Sequence, residues 1–140
     1  MGGDLYGPPS NAGFNAMLAA YRPSGGTDRA EDLAKLLEER DRGNYVSLAR
    51  LIASGRVFTF DWHGTCWIPM FQFDKHELTV KPAAREVLAE LGRVYDGWSL
   101  ACWFVQGNAW LQGQRPIDLL ETDLPLVLNA ARADRFLMAG

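Results

Sequence analysis

The stretch WSLACWFVQGNAWLQGQRPIDLL, residues 98–120, is central to the fold because it carries three of the five tryptophans and three helix-boundary signals. Apolar residues recur at helical spacing over residues 98–105, which predicts a helix with one face on a core. Gly107 and Asn108 tolerate the backbone conformations that end a helix. Pro116 suits the first position of the next helix. The stretch therefore predicts two short helices joined by a tight corner.

The composition indicates one globular domain. The chain has 140 residues, of which 48% are hydrophobic and 22% charged, enough for one sizeable core. No apolar run approaches the roughly 20 residues of a membrane span, and residues 1–10 lack the features of a signal peptide, so we expect a cytoplasmic protein. In that compartment Cys66 and Cys102 should be reduced and buried. The net charge of -3 argues against a broad phosphate-binding surface.

Gly- and Pro-rich breaks and changes in hydrophobic spacing divide the chain into three predicted regions. Residues 1–26, which begin with a Gly- and Pro-rich segment, are expected to form a flexible arm with at most one or two helical turns. Residues 27–56 predict a helical pair that could be a reduced helix-turn-helix, and Asp28 with Glu31 resembles a capping box at its start. Residues 57–140 predict a β-hairpin followed by a helical domain.

The hairpin is predicted because residues 57–74 change from helical spacing to strict alternation. A two-residue turn at His63 and Gly64 would pair Phe60 with Trp67 and gather aromatic side chains on one face.

After the hairpin the chain returns to helix. Pro69 cannot donate to a ladder, so it should lie at an edge or end the pairing, and residues 71–73 should continue extended. Helices are predicted from Lys81 to Gly92 and from about Pro125 to beyond Arg132. The fold class is α+β: a mostly helical single domain with one β-hairpin and a C-terminal helical part.

The sequence contains few residues in patterns that bind a metal or catalyse a reaction. His63 and Cys66 have the spacing of half a zinc site, but His76 and Cys102 lie apart in the chain, so no metal is expected. No nucleophile motif of the G-x-S-x-G type and no Gly-rich phosphate loop is present. We therefore expect neither an enzyme nor a cofactor.

Two segments resemble a known family. Residues 68–74, IPMFQFD, look like the extended Pro-x-Phe-Gln-Phe segment of proteins related to the Xre/MbcA/ParS antitoxins of type II toxin-antitoxin systems. The central stretch is similar to the toxin-binding domain of that family, in which Trp precedes Pro-Asn and then Leu-x-Gly-x-x-Pro-x-x-Leu-Leu. The matching positions are Trp103, Phe104, Asn108, Leu111, Gly113, Arg115, Pro116, Asp118, Leu119 and Leu120. The resemblance spans about Val57 to Arg135.

The resemblance implies a protein that binds and inhibits a RES-type, NAD-consuming toxin, and that forms a homodimer. Trp98 and Trp103 are interpreted as core residues and Trp110 as a surface anchor. The chain beyond Arg132 is expected to contact the toxin and to be dispensable for folding, because the predicted core stripes lie upstream. The predicted toxin-binding residues are Asn108, Trp110, Leu111, Gly113, Arg115, Arg132, Arg135 and Phe136.

The sequence departs from the family pattern in two places. Gly107 stands where the family usually has Pro, which should loosen the corner. Family members also usually carry an upstream helix-turn-helix, for which only about Asp28 to Gly55 is present here.

DNA binding is therefore expected to be weak, with Arg42, Arg50 and Arg56 as its candidates. Two alternatives remain open: a DNA-binding regulator with a winged helix-turn-helix, and a stand-alone dimeric module without a toxin.

Overall fold

The computed structural model describes residues 9–139, and within them the chain is mostly helical with one small antiparallel sheet, as predicted. Short 3-10 turns lie at Arg22–Ser24, Met70–Gln72 and Ala109–Leu111. None of the helices in this range is long and apolar enough to cross a membrane. In chain order the elements are α1 Asn11–Tyr21, β1 Thr27–Arg29, α2 Ala30–Glu39, α3 Tyr45–Ala53, β2 Phe60–Trp62, β3 Thr65–Pro69, α4 Pro82–Leu91, α5 Gly97–Val105, α6 Pro116–Leu119 and α7 Leu124–Ala139.

The hairpin has the predicted register. β2 pairs with β3, with Phe60 opposite Trp67, and the two-residue turn at His63 and Gly64 has φ angles of 50° and 77°. Positive φ at both central residues gives a two-residue turn whose twist suits antiparallel strands. The prediction from alternation and turn chemistry is confirmed.

A third strand, β1, was not predicted. It pairs with β3 and places Asp28 opposite Ile68, so the strand order is β1-β3-β2. The expected capping box of Asp28 and Glu31 is wrong, since α2 begins at Ala30 and has no side-chain cap. Asp28 belongs to the sheet instead of the helix because β1 pairs with β3, a strand that is distant in sequence. Pro69 ends the central strand, where its missing N–H costs the ladder little.

The sheet lies between two hydrophobic clusters because alternate residues point to opposite faces. Ile68 packs with the buried leucines of α2 and α3, while Phe60 belongs to the larger cluster formed by α1, α4, α5 and α7. The ring of Phe14 in α1 covers this second face, with its centroid 5.3 Å from that of Trp67.

The expectation that residues 1–26 form a flexible arm needs correction for α1, while residues 1–8 lie outside the described part of the chain. Met17 and Tyr21, one helical turn apart, are fully buried. The Tyr21 hydroxyl also donates a 2.6 Å hydrogen bond to the carbonyl oxygen of Ala101 in α5. The Gly- and Pro-rich character of the first residues does not extend into this helix, which is part of the core.

The expected extended segment after β3 is wrong for residues 71 and 72, which belong to a 3-10 turn, whereas Phe73 is extended and bridges to Val80. The side chain of Gln72 is fully buried. Its amide nitrogen donates to the carbonyl oxygens of Phe58 and Pro69, each at 3.0 Å, and its carbonyl oxygen accepts from the Phe58 amide at 2.9 Å. A buried amide is stable only when its polar atoms are paired, so the turn forms where Gln72 can reach these partners.

Helix α5 begins in close contact with the hairpin. A Cβ atom at Gly97 would overlap the carbonyl oxygen of Thr59 and lie 3.2 Å from the Cα atom of Phe60. Glycine at this position therefore lets the helix approach the backbone at the start of β2, and it sets the position of the helix that leads into the corner.

Candidate protein-binding surface

The corner after α5 is closed by hydrogen bonds around Asn108. Its side-chain oxygen accepts from the Trp110 amide at 2.9 Å, and its own amide donates to the Gln114 carbonyl oxygen at 3.0 Å. Its carbonyl oxygen accepts from the Gly113 amide at 2.8 Å. These bonds join the start of the corner to its end and determine where Trp110 leaves the backbone.

Gly107 has a steric role that the sequence comparison did not suggest. A Cβ atom at this residue would lie 2.8 Å from the carbonyl oxygen of Gly113. Any residue with a side chain, proline included, would push the two ends of this closed corner apart. The main effect of glycine at residue 107 is therefore to permit this close contact, which differs from the loosening of the corner that we expected.

The most specific feature of the region is a carboxylate shared by two tryptophans. Trp103 is 2% exposed and donates its indole N–H to Asp134 Oδ2 at 2.7 Å. Trp110 is 52% exposed and donates its indole N–H to Asp134 Oδ1 at 2.8 Å. One oxygen serves each ring, so an exposed aromatic side chain is joined through α7 to a buried one. Burial raises the pKa of the nearby Tyr95 hydroxyl, and the negative charge of Asp134 raises that pKa further.

A second acidic residue holds the end of α7 against α4. Glu90 accepts a hydrogen bond from Arg132 Nε at 3.0 Å and forms an ion pair with Arg135, whose nitrogen lies 2.7 Å from its other carboxylate oxygen. The Glu90 side chain is largely buried, whereas the two arginines are about half exposed. Solvent therefore screens these interactions only in part.

Apolar side chains are exposed beside these contacts. Phe136 is 75% exposed, and Leu137 and Met138 are also more than half exposed. Leu137 and Met138 follow Asp134 by three and four residues, which places them on the same side of α7 as Asp134 and hence towards Trp110. We call Trp110, Leu137 and Met138 the Trp110 surface; Phe136, two residues after Asp134, lies on another side of α7. Exposed apolar groups gathered in this way are typical of a protein-protein interaction site.

The structure divides the predicted toxin-binding residues into two groups. Asn108 and Leu111 are buried, which argues against their direct contact with a partner and assigns them to shaping the corner. Trp110 and Phe136 are exposed, and Gly113 lies on the exposed part of the corner with a φ of 84°. Arg115 holds Asp118 through two hydrogen bonds of 2.9 and 2.8 Å. Arg132 and Arg135 lie on α7 and pair with Glu90.

These contacts argue against the expectation that the chain beyond Arg132 is dispensable for folding, because they predict that its removal destabilises the fold. Asp134 accepts a hydrogen bond from the indole N–H of the buried Trp103, and Arg135 pairs with Glu90. Sequence reasoning missed both acidic residues, because an acidic residue in a helix usually faces solvent and nothing local marks a distant partner.

The candidate DNA-binding residues lie elsewhere. Arg42 pairs with Glu77 at 2.7 Å, whereas Arg50 and Arg56 are exposed on and after α3. The N-terminus of α3 also exposes Tyr45, which is 72% accessible, next to Val46. Helix α3 packs against α2, whereas α7 packs against α4 and the 3-10 turn that carries Trp110, so the two sets of residues lie on different packed elements.

The metal-type ligands do not assemble into a site. Within residues 9–139 no three His, Cys, Asp or Glu side chains are placed to hold a metal ion together. Cys66 is half-buried and Cys102 fully buried, and both are free thiols. Burial, with a smaller contribution from the charge of Asp96, raises the pKa of Cys102 to about 12.

The chain matches no protein-family model, no curated protein and no solved structure.

Proposed function

We propose that this protein is an antitoxin-like binding protein that inhibits a RES-type, NAD-consuming toxin through the Trp110 surface. The observation that carries the proposal is the exposure of Trp110, held by Asp134 beside the apolar end of α7. Tryptophan is among the residues most enriched in the energetic centres of protein interfaces. The class of partner comes from the sequence resemblance of the corner and of residues 68–74.

The charges around the Trp110 surface support a protein partner. Arg132 and Arg135 lie on the same helix as Leu137 and Met138 and are neutralised in part by Glu90, so the end of α7 combines exposed apolar side chains with partly neutralised charges. Such a combination of apolar and polar side chains is usual in a protein interface. It differs from a nucleic-acid surface, which would present unpaired cations over an extended area.

A co-expression growth assay tests the proposal. The toxin is a RES-domain protein, and the variant is Trp110→Ser, with Tyr45→Ser as a control that removes another exposed aromatic residue, from helix α3. Trp110→Ser should lose rescue of growth, whereas Tyr45→Ser should keep it. Circular dichroism must show that both variants are folded. Equal rescue by both folded variants, or the absence of any complex between the two wild-type proteins, would refute the proposal.

A winged helix-turn-helix regulator is the second candidate, and one observation favours it. Elements α1 to β3 run helix, strand, helix, helix and hairpin, with β1 pairing to the last strand, which is the order of a winged helix-turn-helix. Residues 40–44 would be its turn and α3 its recognition helix.

The charge of this region favours the first candidate. Between Thr27 and Arg56 the sequence has six basic and six acidic residues, so it carries no excess positive charge to attract phosphates. A gel-shift titration with the chain's own promoter decides between the candidates. Tight binding that weakens on Arg50→Ala and falls steeply with salt would favour the regulator.

A further inference from the structure

We infer that Asp134 is a positioning residue that holds Trp110 in one outward orientation and so prepares the surface for its partner. This inference deepens the proposed function and rests on it only for the identity of the partner. The arrangement of the two indoles can be tested on the free protein.

The first step is the geometry of the carboxylate. Asp134 Oδ1 and Oδ2 lie 2.8 and 2.7 Å from the indole nitrogens of Trp110 and Trp103. Hydrogen bonds to a charged acceptor are stronger than neutral ones. Because Trp103 is buried in the core, its bond fixes the carboxylate, and the fixed carboxylate in turn holds the exposed ring of Trp110.

The second step is the closed backbone beneath Trp110. The Trp110 amide donates to the Asn108 side chain, and the Gly113 amide donates to the Asn108 carbonyl oxygen. The side chain of Trp110 is therefore held at both ends, by the corner at its backbone and by Asp134 at its ring nitrogen. A side chain that is ordered before binding loses less conformational freedom when the partner arrives.

The third step concerns the chemistry of the partner. The only hydrogen-bond donor of the Trp110 side chain is already given to Asp134, so the ring offers a partner its apolar face and edge alone. The matching cleft should therefore have apolar walls and no acceptor for the indole. Leu137 and Met138 extend the same apolar contact.

The test combines indole NMR with a double-mutant cycle. The variants are Asp134→Asn, Trp110→Phe and the double variant, and the binding probe is a catalytically inactive RES-domain protein. An asparagine keeps one acceptor oxygen. Because an unpaired buried donor is the more costly one, that oxygen should stay with Trp103 and release Trp110.

In the free protein, Asp134→Asn should shift the Trp110 indole N–H signal upfield and speed its exchange with water, while the Trp103 signal stays protected. In the binding assay, Asp134→Asn should weaken affinity by roughly three- to tenfold in the Trp110 background, the range expected for ordering one side chain on binding. In the Trp110→Phe background, Asp134→Asn should have almost no effect on affinity, because phenylalanine has no indole N–H for Asp134 to hold.

Three other outcomes are possible, of which two contradict the role of Asp134 and one contradicts the proposed function. An unchanged Trp110 signal in Asp134→Asn overturns the inference, because the ring would then be held by something else. An equal loss of affinity in both backgrounds also overturns it, because Asp134 would then act on the partner or on the fold and not through Trp110. If the wild-type chain does not bind the RES-domain protein, the proposed function fails, and the NMR result alone decides whether Asp134 positions Trp110.

Discussion

Two truncations that differ by only three residues should have very different stabilities. Removing residues 133–140 deletes Asp134 and Arg135, whereas removing residues 136–140 keeps both and deletes only exposed side chains. The longer deletion leaves the buried indole N–H of Trp103 without an acceptor, and it removes the ion pair between Arg135 and Glu90.

The magnitude follows from these contacts. An unpaired buried donor costs about 1 to 3 kcal/mol. The lost bond to the half-exposed Trp110 ring adds about 1 kcal/mol, and the partly screened Arg135 pair adds less than about 1 kcal/mol. We expect a total of about 2 to 4 kcal/mol, which for a chain of this length lowers Tm by roughly 6 to 14 °C. The shorter deletion should change stability by no more than about 0.5 kcal/mol.

Thermal and urea unfolding followed by circular dichroism provide the assay, with full-length Asp134→Ala as a matched point variant. This variant should reproduce most of the loss seen with the longer deletion. Two deletions of equal stability, or a full-length Asp134→Ala as stable as wild type, would refute the reasoning. The shorter deletion, if stable, is also the proper variant for asking whether the apolar end of α7 contacts the proposed partner.

Three further predictions concern other parts of the molecule. Gly97→Ala should destabilise the fold by about 3 kcal/mol in urea unfolding, because its methyl group overlaps the backbone at the start of β2; Gly64→Ala, which has free space but a φ of 77°, should cost only about 1 kcal/mol. Asp28→Asn should raise Tm at pH 7 but not at pH 3. Burial, and to a smaller extent the charge of Asp32, raises the pKa of Asp28, so the ionised carboxylate destabilises the folded state. This destabilisation is lost as the pH falls below the pKa that Asp28 has in the unfolded chain. Native protein treated with iodoacetamide at pH 8 should be modified at Cys66 and not at the buried Cys102, whereas equal modification of both would contradict the burial of α5.

The candidate site was only partly predictable from sequence. The exposure of Trp110 followed from its place between two chain breaks, and the burial of Trp103 from its place in an apolar helical stripe. Leu111 was assigned to the partner because it matches a motif position, but its apolar side chain turns into the core. Asp134 carries no local signal, since its two indole partners are 31 and 24 residues away.

The same distinction applies to the whole fold. By itself the sequence determined the hairpin register, the start of α4 at Pro82 and the buried stripes of the helices, because these depend on residues within a few positions of one another. The pairing of β1 with the sheet, the burial of Gln72 and the contacts through which Asp134 and Glu90 hold α7 depend instead on how distant parts of the chain pack. The physical reason is that a buried polar group or a strand edge must find a partner. Which distant residue supplies that partner is settled when the helices and the sheet pack together.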